Sequence, residues 1–246
     1  KRTAPLPKWI CSFIPEHSVY LEPYFGSGAV LFNKEPTKIE TVNDLDSNVI
    51  NYFKVIRDNP NELIKKLELT PYGRDEYNNA FIEHSKDDDI EKARKFIVRC
   101  YQGFGCSNRY KNGFRSSQQS NSPQTAKLWT KFPEVLSIAS ERLKKVQIEN
   151  LDALELIRRY DTSDVFMYLD PPYLHNTRKK YLYKHEMTNE QHLELLELIK
   201  YHPGKILISG YDNELYDDYL KGWNKEYKNT TVEQGIKRLE VLWMNY

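Results

Sequence analysis

Strand-like and helix-like segments alternate at both ends of the chain, and this alternation restricts the possible folds more than any other feature. Short runs rich in β-branched and aromatic residues predict strands, and most are followed by amphipathic segments that predict helices. The predicted strands cover residues 18–22, 39–43, 146–149, 165–169, 205–209 and 238–245. The predicted helices of this part cover residues 46–58, 153–160, 188–201 and 213–220, and another is expected after the glycine turn at residues 26–28. Such alternation is typical of an α/β fold with a mostly parallel sheet.

A helical segment interrupts this alternation in the middle of the chain. Its predicted helices cover residues 61–69, 74–84, 88–101 and 132–145. Between the last two lies a long loop, GFGCSNRYKNGFRSSQQSNSPQT, and loops of this length are usually functional or disordered. We therefore predict two domains, one formed by residues 1–56 and 146–246 and the other by the helical insert 57–145.

Composition argues against a membrane protein and against a zinc site. Hydrophobic residues make up 39% of the chain and charged residues 29%, and no apolar run approaches the roughly 18 residues of a membrane helix. The three cysteines, Cys11, Cys100 and Cys106, lack CxxC spacing, and the six histidines complete no zinc pattern with them. The chain opens without a signal pattern, and the simplest interpretation is a reduced, cytoplasmic protein without a metal.

The charge is unevenly distributed. The whole chain carries a net charge of only +1, which is no argument for a nucleic-acid partner. The segment from Cys100 to Lys145, however, holds eight basic and two acidic residues, a net charge of +6. A basic face is one interpretation, and an ordinary solvated surface is the other.

Polar residues follow several of the predicted strands, where ligands of α/β sheets bind. In EPYFGSGAV, Gly26 and Gly28 would let the backbone approach a ligand closely, although a plain structural turn would look the same. In VNDLD, Asp44 lies at the spacing, roughly 20 residues after a glycine turn, of acids that bind ribose hydroxyls. Helix capping is the alternative role, for which Asp46 is an equally good candidate. In IENLDAL, Asp152 can bind a ligand or cap the next helix.

The string YLDPPY, residues 168–173, ends a predicted buried strand with an acid and two prolines. Asp170 presents a carboxylate at the edge of the sheet, while Pro171 and Pro172 fix the backbone and remove two N–H donors. Tyr173 adds a flat aromatic face. A carboxylate, exposed carbonyls and an aromatic ring suit a planar base with an exocyclic amine, whose attack they would favour. A simple strand-ending turn is the alternative.

With these motifs the sequence resembles the Dam-like DNA adenine methyltransferases, which transfer a methyl group from S-adenosylmethionine to the N(6) amine of adenine. The resemblance spans nearly the whole chain. Its motifs are EPYFGSGAVLFNK, NDLDSNVINYF, YQGFG, RLKKVQIENLDALELI, YLDPPY, KHEMTNEQH, ISGY and EVLW. It implies a Rossmann-like methyltransferase sheet with one antiparallel strand, and a helical target-recognition insert.

The resemblance also implies roles for individual residues. The cofactor turn would comprise Glu22, Pro23, Phe25, Gly26, Ser27 and Gly28. Asp44 would hold the cofactor ribose, and Asp152 would lie near its adenine. The target base would be received by Asp170, Pro171, Pro172 and Tyr173, with Asp170 also close to the methionine end of the cofactor. The family usually opens with a proline-glycine-glycine-lysine stretch, of which only a candidate for the final lysine, Lys1, is present.

DNA contacts are expected in two polar segments. The first, in the insert, contains Arg109, Tyr110, Lys111, Asn112 and Arg115, and the second, after YLDPPY, contains Arg178, Lys179 and Lys180. Basic and amide side chains contact phosphates and base edges, although a solvated loop is the alternative. The target adenine must be flipped out of the duplex to reach the site. The expected partners are double-stranded DNA and, in a bacterial or phage setting, a cognate restriction nuclease.

Three alternative functions share parts of this pattern. Cytosine N(4) methyltransferases use a similar proline-proline-aromatic turn, more often with Ser at the position of Asp170. Glutamine methyltransferases acting on proteins have Asn there. A DNA-binding relative without catalytic activity would keep the fold, but the intact glycine turn, Asp44 and YLDPPY argue against it. The acid in the motif and the order of the motifs favour adenine.

Overall fold

The computed structural model describes residues 5–104, 110–119, 124–174, 185–231 and 237–246. The chain divides into two compact units. The first, the sheet unit, comprises the described residues within Lys1–Leu45, Lys145–Tyr181 and His185–Tyr246. The second, the helical unit, comprises the described residues within Asp46–Lys144. None of the described helices is long and apolar enough to cross a membrane.

The described part of the sheet unit contains one seven-stranded sheet with the order β3-β2-β1-β4-β5-β7-β6. The strands are β1 (Val19–Glu22), β2 (Ile39–Asn43), β3 (Gln147–Glu149), β4 (Val165–Leu169), β5 (Lys205–Tyr211), β6 (Asn224–Thr231) and β7 (Lys237–Met244). The first five pair in parallel, and β7 runs antiparallel to both β5 and β6. The predicted α/β fold with one antiparallel strand is therefore confirmed.

The helices of the sheet unit are α1 (Leu6–Cys11), α8 (Ala153–Arg159), α9 (Asn189–Lys200) and α10 (Glu214–Tyr219). Residues of α8, α9 and α10 share one apolar cluster with side chains from β1, β4, β5 and β7. Strand β4 lies between β1 and β5, and all five of its residues are buried. The strand order reverses between β1 and β4, and a crevice for a ligand forms at such a point in α/β sheets. The end of β4 that carries Asp170 lies there.

The sequence did not predict two elements of this unit, and it predicted one helix that does not form. Helix α1 was missed because it has only six residues. Strand β6 was missed because its sequence, NKEYKNTT, is polar, as suits a strand at the edge of the sheet. After the glycine turn, residues 29–33 form consecutive turns instead of the expected helix. The polar edge strand carries no hydrophobic pattern from which it could be recognised.

The helical unit contains α2 (Ser47–Asp58), α3 (Pro60–Glu68), α4 (Arg74–Asn79), α5 (Asp89–Gln102), α6 (Thr125–Trp129) and α7 (Phe132–Leu143). Asp46 caps α2 as predicted, because its side chain accepts a hydrogen bond from the Asn48 N–H at 3.0 Å. Helix α2 packs against α5 and α7, so the compact unit begins at Asp46, whereas residue 57 is the predicted start of the insert. The functional boundary of the insert stays a prediction.

Helix α4 ends five residues earlier than the predicted residue 84. The backbone groups that would extend it are bound by side chains. The carboxylate of Asp87 accepts the His84 N–H at 3.0 Å, and the Lys95 ammonium donates to the Ile82 carbonyl at 2.7 Å. Lys95 also contacts Asp87 at 2.6 Å, so one ion pair holds both contacts. Side-chain partners of this kind compete with helix formation.

Helix α9 begins with a capping box at Thr188, whose hydroxyl accepts the Gln191 N–H at 3.3 Å. The Gln191 side chain accepts the Thr188 N–H in return, at 2.9 Å. Replacing Thr188 by alanine is expected to lower the free energy of unfolding by about 1 kcal/mol, because it leaves an N–H of the first turn without its side-chain acceptor. Urea denaturation measures the loss. Thr188→Ser keeps the hydroxyl, and an equal loss in that variant would contradict the capping explanation.

Candidate active site

The carboxyl ends of β1 and β2 are joined by a hydrogen bond to a predicted ligand-binding acid. The Gly26 N–H donates to Asp44 Oδ2 at 2.8 Å, and the Phe25 N–H donates to the carbonyl of Asn43, also at 2.8 Å. The glycine turn and the acid, which lie 18 positions apart in the sequence, are therefore neighbours at the edge of the sheet. Asp44 is partly exposed, and Gly26 is exposed.

The two glycines of this turn have different surroundings. Both have positive φ angles, +48° at Gly26 and +68° at Gly28, a region that favours glycine. A Cβ added at Gly26 would meet no atom within 4 Å, so the backbone there faces open space. A Cβ added at Gly28 would lie 2.7 Å from Phe25 Cζ and 2.8 Å from Phe32 Cε2. Gly26 therefore leaves room for a ligand, whereas Gly28 makes room for two packed rings.

Asn43, which the sequence analysis did not select, connects the ends of three strands. Its buried amide donates to the carbonyls of Pro23 at 3.0 Å and Leu151 at 3.1 Å. Its side-chain oxygen accepts the Leu151 N–H at 2.8 Å. These bonds hold the segments after β1 and β3 against the end of β2. Asn43 is fully buried, and a buried amide of this kind needs hydrogen-bond partners, which the neighbouring strand ends supply.

Asp152 lies in the capping position that the sequence allowed. Its Oδ1 accepts the N–H groups of Leu154 at 2.9 Å and Glu155 at 3.1 Å, which caps α8. The residue is exposed at the carboxyl side of β3. Nearby, the Asn150 amide donates to the carbonyl of Asp44 at 2.7 Å. Asp152 thus lies at the same edge as Asp44, with its capping role established.

Asp170 follows the last residue of β4 and is held by a hydroxyl from the next strand. Ser209 Oγ lies 3.0 Å from Asp170 Oδ1 and also 3.0 Å from the hydroxyl of Tyr168. One side of Asp170 is exposed, but protein atoms surround the rest. The resulting desolvation raises the pKa of its carboxyl to about 6, although hydrogen bonds from Ser209 and Tyr173 act to lower it. Above that pH the carboxylate is a hydrogen-bond acceptor.

Tyr173 is positioned by β5 and β7. Its hydroxyl donates a short hydrogen bond to Oε1 of Glu240, and its ring lies edge-to-face against that of Tyr211, with centroids 4.6 Å apart. The guanidinium of Arg238 lies 5.4 Å from the centroid of the Tyr211 ring. Tyr211 and Glu240 belong to the motifs ISGY and EVLW, but no role was predicted for either of them or for Arg238. Glu240 is a buried acid between apolar residues of a strand, and such a residue signals a specific interaction.

Glu22 lies beneath this edge and is only 2% exposed. The Tyr20 hydroxyl donates to its Oε2 at 2.7 Å. Burial raises the pKa of the Glu22 carboxyl to about 8, and the nearby charge of Asp170 acts in the same direction. Behind Tyr20, the buried ion pair of Lys34 and Glu40 is 2.5 Å long. Glu22 is thus one of a group of acids near the end of β4.

The predicted cofactor residues differ in exposure. Gly26 and Ser27 are exposed, whereas Glu22, Pro23, Phe25 and Gly28 are buried. Of the predicted catalytic residues, Pro171 is buried and Pro172 is partly exposed. Five predicted site residues lie outside the described ranges: Lys1, Arg109, Arg178, Lys179 and Lys180. No group of three or more potential metal ligands occurs within the described ranges.

The described part of the predicted DNA-contacting loop pairs with the end of α5. Phe104 N–H donates to the carbonyl of Gly113 at 3.1 Å, and the Asn112 amide lies 3.3 Å from the Phe104 carbonyl. Lys111 and Asn112 are exposed. The guanidinium of Arg115 lies 5.9 Å from the centroid of the Phe104 ring, which holds it near the surface of the helical unit.

Comparison with known proteins decides which chemistry this site serves. The family model described as D12 class N6 adenine-specific DNA methyltransferase matches residues 4–236. The chain belongs to this family. It is therefore an adenine-specific DNA methyltransferase, its substrate is DNA, and its cofactor is S-adenosylmethionine. The predicted family, enzyme class and cofactor are confirmed, and the methyltransferase is assigned to adenine instead of cytosine or glutamine.

Two curated relatives align with most of the methyltransferase. A Type II methyltransferase of Lactococcus lactis subsp. cremoris is 26% identical over 91% of this chain and 83% of its own. A Type II methyltransferase of Methanocaldococcus jannaschii is 25% identical over 92% of this chain and 88% of its own. The solved SAM-dependent methyltransferase from Agrobacterium tumefaciens has a TM-score of 0.38 and 10% identity, with 98% of this chain and 60% of that chain covered. The last likeness adds nothing to the family assignment.

Proposed function

We propose that this enzyme methylates one adenine within a specific DNA sequence, and that Asp170, Pro171, Pro172 and Tyr173 receive the flipped-out base. The observation that carries the proposal is the geometry of Asp170. Its carboxylate lies at the exposed end of a fully buried strand, is oriented by Ser209 at 3.0 Å, and neighbours the aromatic ring of Tyr173. A rigid acceptor beside an aromatic ring suits a planar base with an N–H donor.

Asp170 would act on the amine of the base. The lone pair of an exocyclic amine is delocalised into the ring, which makes the amine a weak nucleophile. An acceptor that binds the amine protons favours the tetrahedral nitrogen that attacks, and the carbonyl of Pro171 would be the second acceptor. Because the pKa of Asp170 is about 6, its ionised form predominates above that pH. Tyr173 would replace the stacking that the base loses when it leaves the duplex.

The cofactor supplies an electrophilic methyl group on its sulfonium. The exposed Gly26 backbone faces open space, and Asp44 and Asp152 offer carboxylates at the same edge, so these residues fit a nucleoside ligand. We propose that Gly26, Ser27, Asp44 and Asp152 contact it directly. Buried Glu22, Pro23, Phe25 and Gly28 would shape the turn, and Asp170 would adjoin the methionine end.

DNA would be bound through the basic and amide side chains of the helical unit. Lys111, Asn112 and Arg115 are candidates within the described loop, since Lys111 and Asn112 are exposed and the Arg115 guanidinium is held on the Phe104 ring. Arg109, Arg178, Lys179 and Lys180 remain candidates from the sequence. Contacts of this type to phosphates make affinity fall as salt concentration rises.

The biological setting belongs to the same proposal. Two relatives are named Type II methyltransferases, which supports a restriction-modification role with a cognate nuclease for this enzyme as well. In that role the methyl group would protect the DNA of the host from the nuclease. The cytoplasm of a bacterium, where both the DNA and the nuclease would be, is the proposed location.

Incubation of unmethylated DNA with the enzyme and S-adenosylmethionine tests this function. Mass spectrometry of the released nucleosides is expected to find N(6)-methyladenine, because the acceptors of the site fit the adenine amine. Sequencing of the methylated DNA then identifies the recognition sequence, which the proposal requires to be a single short word. Methylcytosine, or methyladenine without any sequence preference, would contradict the proposal.

A further inference from the structure

Glu240 is an acid for which the proposed reaction has so far no use. It lies in β7 with 3% of its surface exposed, and it accepts the hydroxyl proton of Tyr173 in a short hydrogen bond. The two residues lie 67 positions apart. A buried carboxyl loses hydration that a single hydrogen bond replaces only partly, so its presence in an apolar strand indicates a specific role.

The charged and titratable groups around Glu240 come from several elements. Tyr211 on β5 and Lys228 on β6 are its partners in the strand pairing. The ammonium of Lys228 lies 5.2 Å from the centroid of the Trp9 ring, and the Arg238 guanidinium lies over the ring of Tyr211. Asp170 and Tyr168, at the end of β4, both interact electrostatically with Glu240. The acid thus belongs to the surroundings of the proposed base site.

The hydroxyl of Tyr173 lies between two carboxyl groups. It donates to Glu240, and it is also within hydrogen-bonding reach of Asp170. A phenol has one O–H and can donate it to only one acceptor at a time. If the hydroxyl donates to Asp170, it occupies a lone pair that the amine of adenine would otherwise use. The direction in which the Tyr173 hydroxyl points its hydrogen therefore determines how well Asp170 can accept hydrogen bonds from the amine of the base.

We infer that Glu240 is a positioning residue, which in its ionised form accepts the hydrogen bond of the Tyr173 hydroxyl and thereby leaves Asp170 available to the adenine amine. When Glu240 is protonated, it can donate its own proton to the phenol oxygen, and the phenol then donates to Asp170. Each hydrogen keeps its covalent bond in this exchange, and only the direction of two hydrogen bonds reverses. The inference rests on the proposed role of Asp170 as the acceptor of the amine protons.

The pKa values of Glu240 and Asp170 indicate that this reversal of hydrogen bonds occurs near neutral pH. Burial raises the pKa of Glu240 to about 7, the charge of Asp170 acts in the same direction, and the bond from Tyr173 opposes both. Asp170 has a pKa of about 6. While Glu240 is protonated, the Tyr173 hydroxyl donates to Asp170 and takes up part of its capacity to accept from the base. Activity is expected to rise through pH 7 as Glu240 loses its proton.

The test is the pH dependence of kcat/KM for DNA, at saturating S-adenosylmethionine, between pH 5.5 and 9. In Glu240→Gln the neutral amide competes poorly with the charged Asp170 for the hydroxyl proton of Tyr173. We expect kcat/KM at pH 8.5 to fall about tenfold, as for loss of one hydrogen bond to a charged group. We also expect the inflection that belongs to Glu240, near pH 7, to disappear. Glu226→Gln, exposed on β6, is the matched control and should keep the wild-type profile.

A second variant separates this mechanism from a purely structural role. Tyr173→Phe keeps the ring and removes the shared proton, so adding Glu240→Gln to Tyr173→Phe should change kcat/KM less than twofold. The melting temperature of each variant checks that the fold is retained. The inference is overturned if Glu240→Gln keeps the inflection near pH 7, or if it lowers kcat/KM equally with and without the Tyr173 hydroxyl. Absence of N(6)-methyladenine with the wild-type enzyme would instead overturn the proposed function.

Discussion

Replacing Asp170 by alanine is expected to lower the rate of methyl transfer to adenine by about 10²–10³-fold while leaving the enzyme folded. The variant removes the carboxylate that would bind the amine protons, and loss of a preorganised electrostatic group of this kind lowers kcat by about 10²–10³-fold. Folding should tolerate the change, because Asp170 lies after the last residue of β4 and one side of it is exposed. The substitution also removes the desolvation cost of this carboxylate, which is the cause of its raised pKa.

Single-turnover kinetics with labelled cofactor measures the effect on the methyl-transfer step. Asp170→Asn is the matched control, since its amide keeps the shape of the side chain and one acceptor oxygen without the charge. We expect its rate to lie between those of the wild type and the alanine variant. The melting temperature establishes that the protein is folded. If Asp170→Ala retained most of the wild-type rate, the assignment of this residue to the base site would be wrong.

The second large effect is expected for stability when Gly28 becomes alanine. The φ angle of +68° disfavours any Cβ, by about 1–2 kcal/mol. The new methyl group would also lie 2.7 Å from Phe25 Cζ and 2.8 Å from Phe32 Cε2, so the buried rings must shift. Overpacking of a core costs about 1–3 kcal/mol. The free energy of unfolding should therefore fall by about 2–5 kcal/mol in total.

Gly26→Ala is the matched control for this substitution. Its φ angle is also positive, at +48°, but its Cβ would meet nothing within 4 Å. We therefore expect only the conformational cost of about 1–2 kcal/mol. Urea denaturation of both variants gives the two values, with the slope m showing whether the unfolded states are comparable. Equal losses would mean that the aromatic rings accommodate the methyl group and that the close contacts are not decisive.

Local sequence patterns were sufficient where an element is regular and well buried. Strands β2 and β4 occupy the predicted residues 39–43 and 165–169, since both are short runs rich in β-branched, aromatic or other apolar residues and each is followed by an aspartate. The cap at Asp46 followed from the same local logic. The acids after the parallel strands could be placed at one edge of the sheet, because parallel strands have their carboxyl ends on the same side. The amino-acid sequence therefore determined the fold class and the position of Asp170.

Contacts between distant segments were decided only by the tertiary structure. Strand β6 is a strand because β7 pairs with it, although its own sequence is polar. Asn43 joins the ends of three strands through partners up to 108 positions away. Glu240 reaches Tyr173 because β7 runs antiparallel beside β5. Hydrogen-bond partners of this kind depend on strand order and register, which short-range propensity does not encode. The sequence by itself thus determined which polar residues lie at the edge of the sheet. The tertiary structure determined which of them are joined by hydrogen bonds.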